Sequence, residues 1–181
     1  MVMRCQPIVD AIRSVETSVS NKILLSPKGK KYDQKKAHLL SQLDHIILVC
    51  GRYEGVDARV EDYVDEQISI GDYILTGGEL GAEIIVDSVI RLLDGILRDG
   101  ATLEESHENG LLEYPQYTRP AEFEGRAVPK ILLSGNRQKI EDWRLQQSLM
   151  ATRTLRPDMF CKLELTEREK KLIKEFDKEN Q

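Results

Sequence analysis

Three stretches share one chemical character: "LLSPKGK" (Leu24–Lys30), "VCGRYEG" (Val49–Gly55) and "SIGDYILTGGELG" (Ser69–Gly81). In each, glycine follows an apolar run, and Gly71, Gly77 and Gly78 fall within eight positions of one another. Glycine weakens a strand or helix interior, and is useful where backbone must bend sharply or lie against a ligand. What these stretches offer is main-chain N–H and C=O groups, apolar walls, and the side chains of Tyr53, Glu54 and Tyr73. That set suits a neutral or cationic ligand with an aromatic ring, held largely by main-chain hydrogen bonds. The phosphate-cradling patterns GxxxxGK[ST] and GxGxxG are absent, and no GxSxG or Cys/His pairing suggests a nucleophile.

Metal and redox chemistry find little support. His38, His45 and His107 are scattered, as are Cys5, Cys50 and Cys161, with no CxxC pair. Free thiols in a reducing compartment are the expectation, and no metal site is expected. The formal net charge of -5 means that any contact with nucleic acid must come from local basic patches. No apolar run approaches the roughly 18 residues of a membrane span, and "MVMRCQP" reads as no secretory signal. A cytoplasmic protein is expected.

The elements that must position these loops alternate. "PIVDAIRSV" predicts a helix, with Pro7 at its first position and Ile8, Ile12 and Val15 on one stripe. "KILLSP" reads as a buried strand stopped by Pro27, and "DQKKAHLLSQL" as a helix. "HIILVC" has the pattern of a parallel strand opening at Gly51 into a loop. "GVDARVEDYVDE" reads as roughly helical, and "QISIGDYIL" as a strand. "LGAEIIVDSVIRLL" is apolar nearly all round, which predicts a helix buried on most faces. Strands separated by helices imply an α/β parallel sheet, whose ligands bind beyond the carboxyl ends of the strands.

The character changes after Leu97. "RDGATLEESHENG" reads as a flexible connector, and "EYPQYTRPAEFEGRAVP" as an extended, irregular segment. A long helix follows over "NRQKIEDWRLQQSLMATRTL", with Ile140, Trp143, Gln147 and Met150 along one stripe. A capping box from Thr166 to Glu169 opens a last helix. The organisation expected is an α/β domain over 1–97, a connector over 98–109 and a smaller, mainly helical domain over 110–181.

Several motifs in fixed order carry a resemblance over almost the whole chain: "LVCGRYEGVDARV", "SIGDYILTGGEL", "DSVIRLLDGIL", "GLLEYPQYTRP" and "ILLSGNRQKIEDWRLQQSL". Together they resemble the bacterial tRNA (guanine-N1)-methyltransferase family, which modifies the guanosine just 3′ of the anticodon, position 37. The resemblance implies a parallel α/β sheet with a C-terminal trefoil knot, the SPOUT type, an exception to the rule that chains avoid knots. It implies that the glycine-rich loops wrap S-adenosylmethionine, with Leu25, Ser26, Pro27, Gly51, Tyr53, Glu54, Ile70, Gly71, Tyr73, Leu75, Gly77 and Gly78 contacting it. Gly29 belongs to the same loops. At Gly81 the chain departs from the family, which usually has proline there.

The chemistry implied is proton removal joined to methyl transfer. Guanine N1 is a poor nucleophile while protonated, so a general base must take its proton while a cation stabilises charge on O6. By resemblance the cation is Arg91. The alternative for Arg91 is an i,i+4 pair with Asp87 on an exposed helix face. The base aligns at Glu105, where the family commonly has aspartate before serine; Glu104 and Glu108 are close rivals for that role. Glu54 is expected beside the sulfonium.

Basic clusters at Lys28, Lys30, Lys31, Lys35 and Lys36, at Arg119, Arg126 and Lys130, and at Arg137, Lys139, Arg144, Arg153 and Arg156 are candidates for tRNA phosphates. Ser106, Tyr117, Arg119 and Arg144 are the expected substrate contacts. The resemblance also implies a homodimer sharing each active site between subunits, and magnesium assistance without an encoded site. In the family a strand–helix–strand region precedes the point matching Met1–Met3. The alternative to an active enzyme is therefore a fragment that binds S-adenosylmethionine or tRNA without turnover.

Overall fold

The computed structural model describes residues 1–98 and 100–179, and divides the chain into two compact units, Met1–Asp99 and Gly100–Gln181. The first unit is built on three parallel strands, β1 (Ser20–Lys31), β2 (His45–Cys50) and β3 (Glu66–Ser69), in the order β2-β1-β3. Helix α1 (Cys5–Val15) precedes β1, α2 (Gln34–Ser41) joins β1 to β2, and a 3₁₀ turn (Ala58–Tyr63) precedes β3. Helix α3 (Glu79–Ile90) follows β3.

Strand periodicity explains the layers. Ile23 and Leu24, adjacent in β1, point to opposite faces. Leu24 joins Ile8, Ile12, Val49 and Val60 in one cluster, under α1 and the 3₁₀ turn. Ile23 joins Leu40, Ile68, Ile85 and Val89 in the other, under α2 and α3. The sheet is thus covered on both faces, as parallel sheets require.

Pro7 stands third in α1, which begins at Cys5; proline is still tolerated there because first-turn N–H groups have no helical partner. In α1 Val9 is buried and Val15 is exposed. Pro27 does not stop β1. Leu25 pairs with Ile68, residues 26–29 bow out, and pairing with β3 resumes at Lys30↔Ile68 and Lys31↔Ser69. The strand expected over "QISIGDYIL" ends at Ser69, because the Ser69 hydroxyl closes a turn on Gly71, accepting its N–H at 3.2 Å. Gly71 has φ +150°, a conformation side chains disfavour. "GVDARVEDYVDE" forms only the short 3₁₀ turn, capped by the Asp57 side chain accepting from Arg59 N–H. Helix α3 buries only Gly81, Ile85 and Val89, while Leu80, Ile84, Val86 and Ile90 are exposed, since the sheet covers one face alone.

The second unit carries a small antiparallel pair, β4 (Glu122–Phe123) and β5 (Arg126–Ala127), and helices α4 (Arg137–Leu155), α5 (Pro157–Phe160) and α6 (Glu167–Glu179). Leu111, Leu149 and Met150 form its core, with Phe160, Leu163, Leu165 and Ile173 packed around them. Of the expected stripe of α4 Met150 is buried, with Ser148, Leu149 and Thr152 beside it, whereas Ile140, Trp143 and Gln147 are only partly buried. The capping box of α6 is formed: Thr166 N–H donates to Glu169 Oε2 at 2.7 Å, and Glu169 N–H to Thr166 Oγ1 at 3.3 Å.

Candidate active site

The carboxyl ends of β1, β2 and β3 enclose a cavity of about 340 Å³ in the first unit. Leu25, Ser26 and Pro27 come from the bow in β1; Gly51, Tyr53 and Glu54 follow β2; Ile70, Gly71, Tyr73, Leu75, Gly77 and Gly78 follow β3. Twelve residues grouped from three separate strand ends therefore line one space. Arg52, Gly55, Ile74, Thr76 and Gly81 line it as well. Arg52 was missed because a lone arginine between glycines carries no periodic signal.

Close backbone approach builds the walls. Gly78 lies in helical backbone, and its N–H donates to the Gly51 carbonyl at 2.9 Å. A Cβ on Gly78 would stand 2.8 Å from Cys50 Cα, and one on Gly29 would stand 2.5 Å from the carbonyl carbon of Gln67. These glycines let segment 77–78 lie on the end of β2, and the bow of β1 lie on β3. Gly81 is buried against Leu25 and Ile70, so this position accepts no large side chain without displacement.

Polar pairs fasten the rim. Arg52 Nε donates to Glu79 Oε1 at 2.6 Å, joining the loop after β2 to the first turn of α3. The Glu79 carboxyl lies below its ordinary range, first through its own backbone N–H and then through Arg52. The Cys50 thiol is pushed up by burial and then by the Glu79 charge. Glu54 pairs with the Met1 ammonium at 2.5 Å on the surface. Tyr53 holds φ 60°, unusual for an aromatic residue, and stays exposed at the cavity mouth. Tyr73 OH donates to the Ile70 carbonyl at 3.3 Å, folding its ring back over Gly71.

Arg91 does not line the cavity. It caps the far end of α3, about 18 Å along a twelve-residue helix from the glycine pair. Its N–H donates to the Asp87 carbonyl at 3.3 Å.

In the second unit, the polar stretch 100–110 is built from turns. Glu105 and Ser106 are half-buried, and Ser106 Oγ accepts the Glu113 N–H at 2.9 Å. Glu104 Oε2 accepts the Tyr114 hydroxyl at 2.6 Å and stands 3.7 Å from Arg144 Nη1. The Arg144 guanidinium lies 4.7 Å over the Tyr114 ring, with Nε buried and unpartnered. Exposed Tyr117 packs at 6.4 Å on Trp143.

Many of the basic residues are internally paired. Lys28, Lys31 and Lys36 pair with Glu61, Asp72 and Glu66, and Arg137, Arg153 and Arg156 with Glu141, Asp177 and Asp158. Among the described residues, Arg119, Arg126, Lys130 and Lys139 are exposed cations of the second unit without such partners. No group of three or more His, Cys, Asp or Glu among them could hold a metal ion, and no described helix is long and apolar enough to cross a membrane.

The sequence model described as tRNA (Guanine-1)-methyltransferase TrmD matches residues 1–162. A tRNA (guanine-N(1)-)-methyltransferase of Clostridium botulinum (strain Loch Maree / Type A3) is 52% identical over 180 residues, covering 98% of this chain and 75% of the relative. A protein of the same name from Ruminiclostridium cellulolyticum is 54% identical over 168 residues, covering 90% of this chain and 72% of the relative. Another, from Geobacillus kaustophilus, is 51% identical and covers 100% of this chain and 76% of the relative. With a match of this extent, the chain belongs to the tRNA (guanine-1)-methyltransferase family.

Proposed function

We propose that this chain transfers a methyl group from S-adenosylmethionine to N1 of the guanosine 3′ of the anticodon, position 37, in tRNA. One observation carries the reading: in a member of this family, three glycine-bearing strand ends close a single cavity of ligand size. The cavity's character fits the donor. Leu25, Ile70 and Leu75 supply apolar wall for an adenine, and the backbone at 77–78, bare of side chains, supplies main-chain groups. Glu54 supplies a negative charge at the mouth for a sulfonium. When bound, S-adenosylmethionine would supply an electrophilic methyl; the chain's own task is to orient it and ready the guanine.

For that task Glu105 takes the N1 proton and Arg91 stabilises charge on O6. Arg91 stands far from the cavity along α3, so the reading requires a second copy of the chain to complete each site. The exposed Leu80, Ile84 and Ile90 on α3 are surface that such a copy would cover. The close crossings at Gly29 and Gly78 support a trefoil knot of the SPOUT type, in which chain threads past chain. Residues 1–97 act as the S-adenosylmethionine domain, 98–109 as the connector and 110–181 as the tRNA-binding domain. There Ser106, Tyr117 and Arg119 contact substrate, while the unpaired Arg126, Lys130 and Lys139 meet phosphates. The enzyme works in the cytoplasm. No step is assigned to magnesium.

The test is transfer of labelled methyl from S-adenosylmethionine to a tRNA transcript with guanosine at position 37, against a matched transcript with adenosine there. Label on the guanosine transcript alone is expected; label on neither, from folded protein, refutes the reading.

A further inference from the structure

The stretch around Glu105 is polar and glycine-containing, yet a ladder of bonds holds it. His107 N–H donates to the Leu111 carbonyl at 2.9 Å, closing a turn in which His107 has φ 78° and Gly110 φ 81°. Outside that turn lies the Ser106–Glu113 bond at 2.9 Å, and outside that the Tyr114–Glu104 bond at 2.6 Å. Leu111 is buried in the core, and Leu112 N–H donates to Thr152 Oγ1 of α4 at 2.8 Å. The returning strand of this loop is thus fixed to the helix, and the outgoing strand, which bears Glu105, is tied to the returning one by these bonds and to α4 through Glu104 and Arg144.

We propose that Tyr114 and Arg144 are positioning residues for Glu105, setting its place through the two residues on either side of it. The inference rests on the reading of Glu105 as the base. Glu104 and Ser106 flank Glu105, and each is bonded across the loop, so the backbone of Glu105 is held at both ends. Burial first, then the hydrogen bond and charge of Glu104, push the Tyr114 phenol above its ordinary value. Arg144 braces the ring from above and its charge faces the Glu104 carboxylate. Arg144 therefore acts behind the loop, in place of the direct substrate contact the resemblance implied. Glu104 is likewise committed to the brace, which separates it from Glu105 as a candidate base.

Tyr114→Phe keeps the ring under Arg144 and deletes only the donor. In the 181-residue chain, amide hydrogen exchange at His107 and Glu113 should quicken, and single-turnover methyl transfer should slow about fivefold, with KM for S-adenosylmethionine and tRNA unchanged. A Glu105→Gln background should slow transfer by itself, and Tyr114→Phe should add no further loss to it. Arg144→Lys, which keeps charge but not the planar stack, should match Tyr114→Phe; a loss appearing in the KM for tRNA would restore Arg144 to substrate contact and overturn the proposal. Unchanged exchange overturns the brace, and quickened exchange with an unchanged rate overturns positioning. A fully active Glu105→Gln variant refutes Glu105 as the base, and is told apart from failure of the brace by the exchange data.

Discussion

Replacing Gly78 by alanine tests whether the cavity wall depends on backbone lying on backbone. Gly78 has φ -79° and ψ -10°, a conformation alanine adopts freely, so the substitution introduces no torsional strain. What it introduces is a Cβ 2.8 Å from Cys50 Cα, 3.1 Å from Cys50 Cβ and 3.2 Å from Gly51 N. Ordinary carbon contacts lie at about 3.5–4.0 Å, so segment 77–78 must lift by roughly 0.7 Å or more. The opposing atoms are mainly backbone, which cannot rotate away, and overpacking of this kind costs about 1–3 kcal/mol. Lifting also stretches the Gly78–Gly51 hydrogen bond, which is 2.9 Å long. If the binding-competent wall bears that cost, affinity for S-adenosylmethionine falls roughly 5- to 150-fold. Titration calorimetry would measure it, with thermal unfolding alongside. Gly135→Ala is the control: φ is +71° with nothing within 4 Å of the new Cβ, so it adds strain in the second unit without touching the cavity. Wild-type affinity and melting temperature for Gly78→Ala would refute the reasoning; equal losses of affinity in both variants would do so too.

Arg52→Ala should weaken S-adenosylmethionine binding by up to about fivefold, a small effect because the ion pair it removes is half-exposed, and the charge-exchanged pair Arg52→Glu with Glu79→Arg should recover part of it. Leu149 is fully buried, so Leu149→Ala should destabilise the second unit by about 2–5 kcal/mol in denaturant titration, with little change in S-adenosylmethionine affinity. Arg59, by side-chain hydrogen bonding first, holds the Asp57 carboxyl at about 2, and Arg156 does the same for Asp158. Because these folded values lie below the ordinary 3.8, their contribution to stability is complete above about pH 4 and is lost as pH falls towards 2. Melting temperature against pH should decline over that window, and less steeply in the Asp57→Asn, Asp158→Asn double variant.

What the sequence made legible were features set by local period and local chemistry. The continuous apolar run in "KILLSP" marked a strand buried on both faces, with Ile23 and Leu24 in opposite clusters, and the Thr166–Glu169 spacing forms its capping box. Glycines after apolar runs marked the three strand ends that meet at the cavity. What was not legible depends on distant partners. The bow at Pro27 needs β3 to resume pairing at Lys30, and β3 ends at Ser69 because its own hydroxyl turns the chain at Gly71. The stretch around Glu105 reads as a connector because it is polar, whereas its order comes from Thr152, forty residues on, and from Tyr114. The apolar circumference of α3 predicted burial that one sheet cannot supply, so Leu80, Ile84, Val86 and Ile90 are exposed.

The central claim concerns one atom, and nucleoside analysis of the product tests it most directly. tRNA bearing guanosine 3′ of the anticodon would be treated with the protein and S-adenosylmethionine, digested to nucleosides and resolved by mass spectrometry against standards. 1-Methylguanosine alone, arising from that position, is expected. A methyl found on guanine N7, on a ribose 2′ oxygen or on another nucleotide would contradict it.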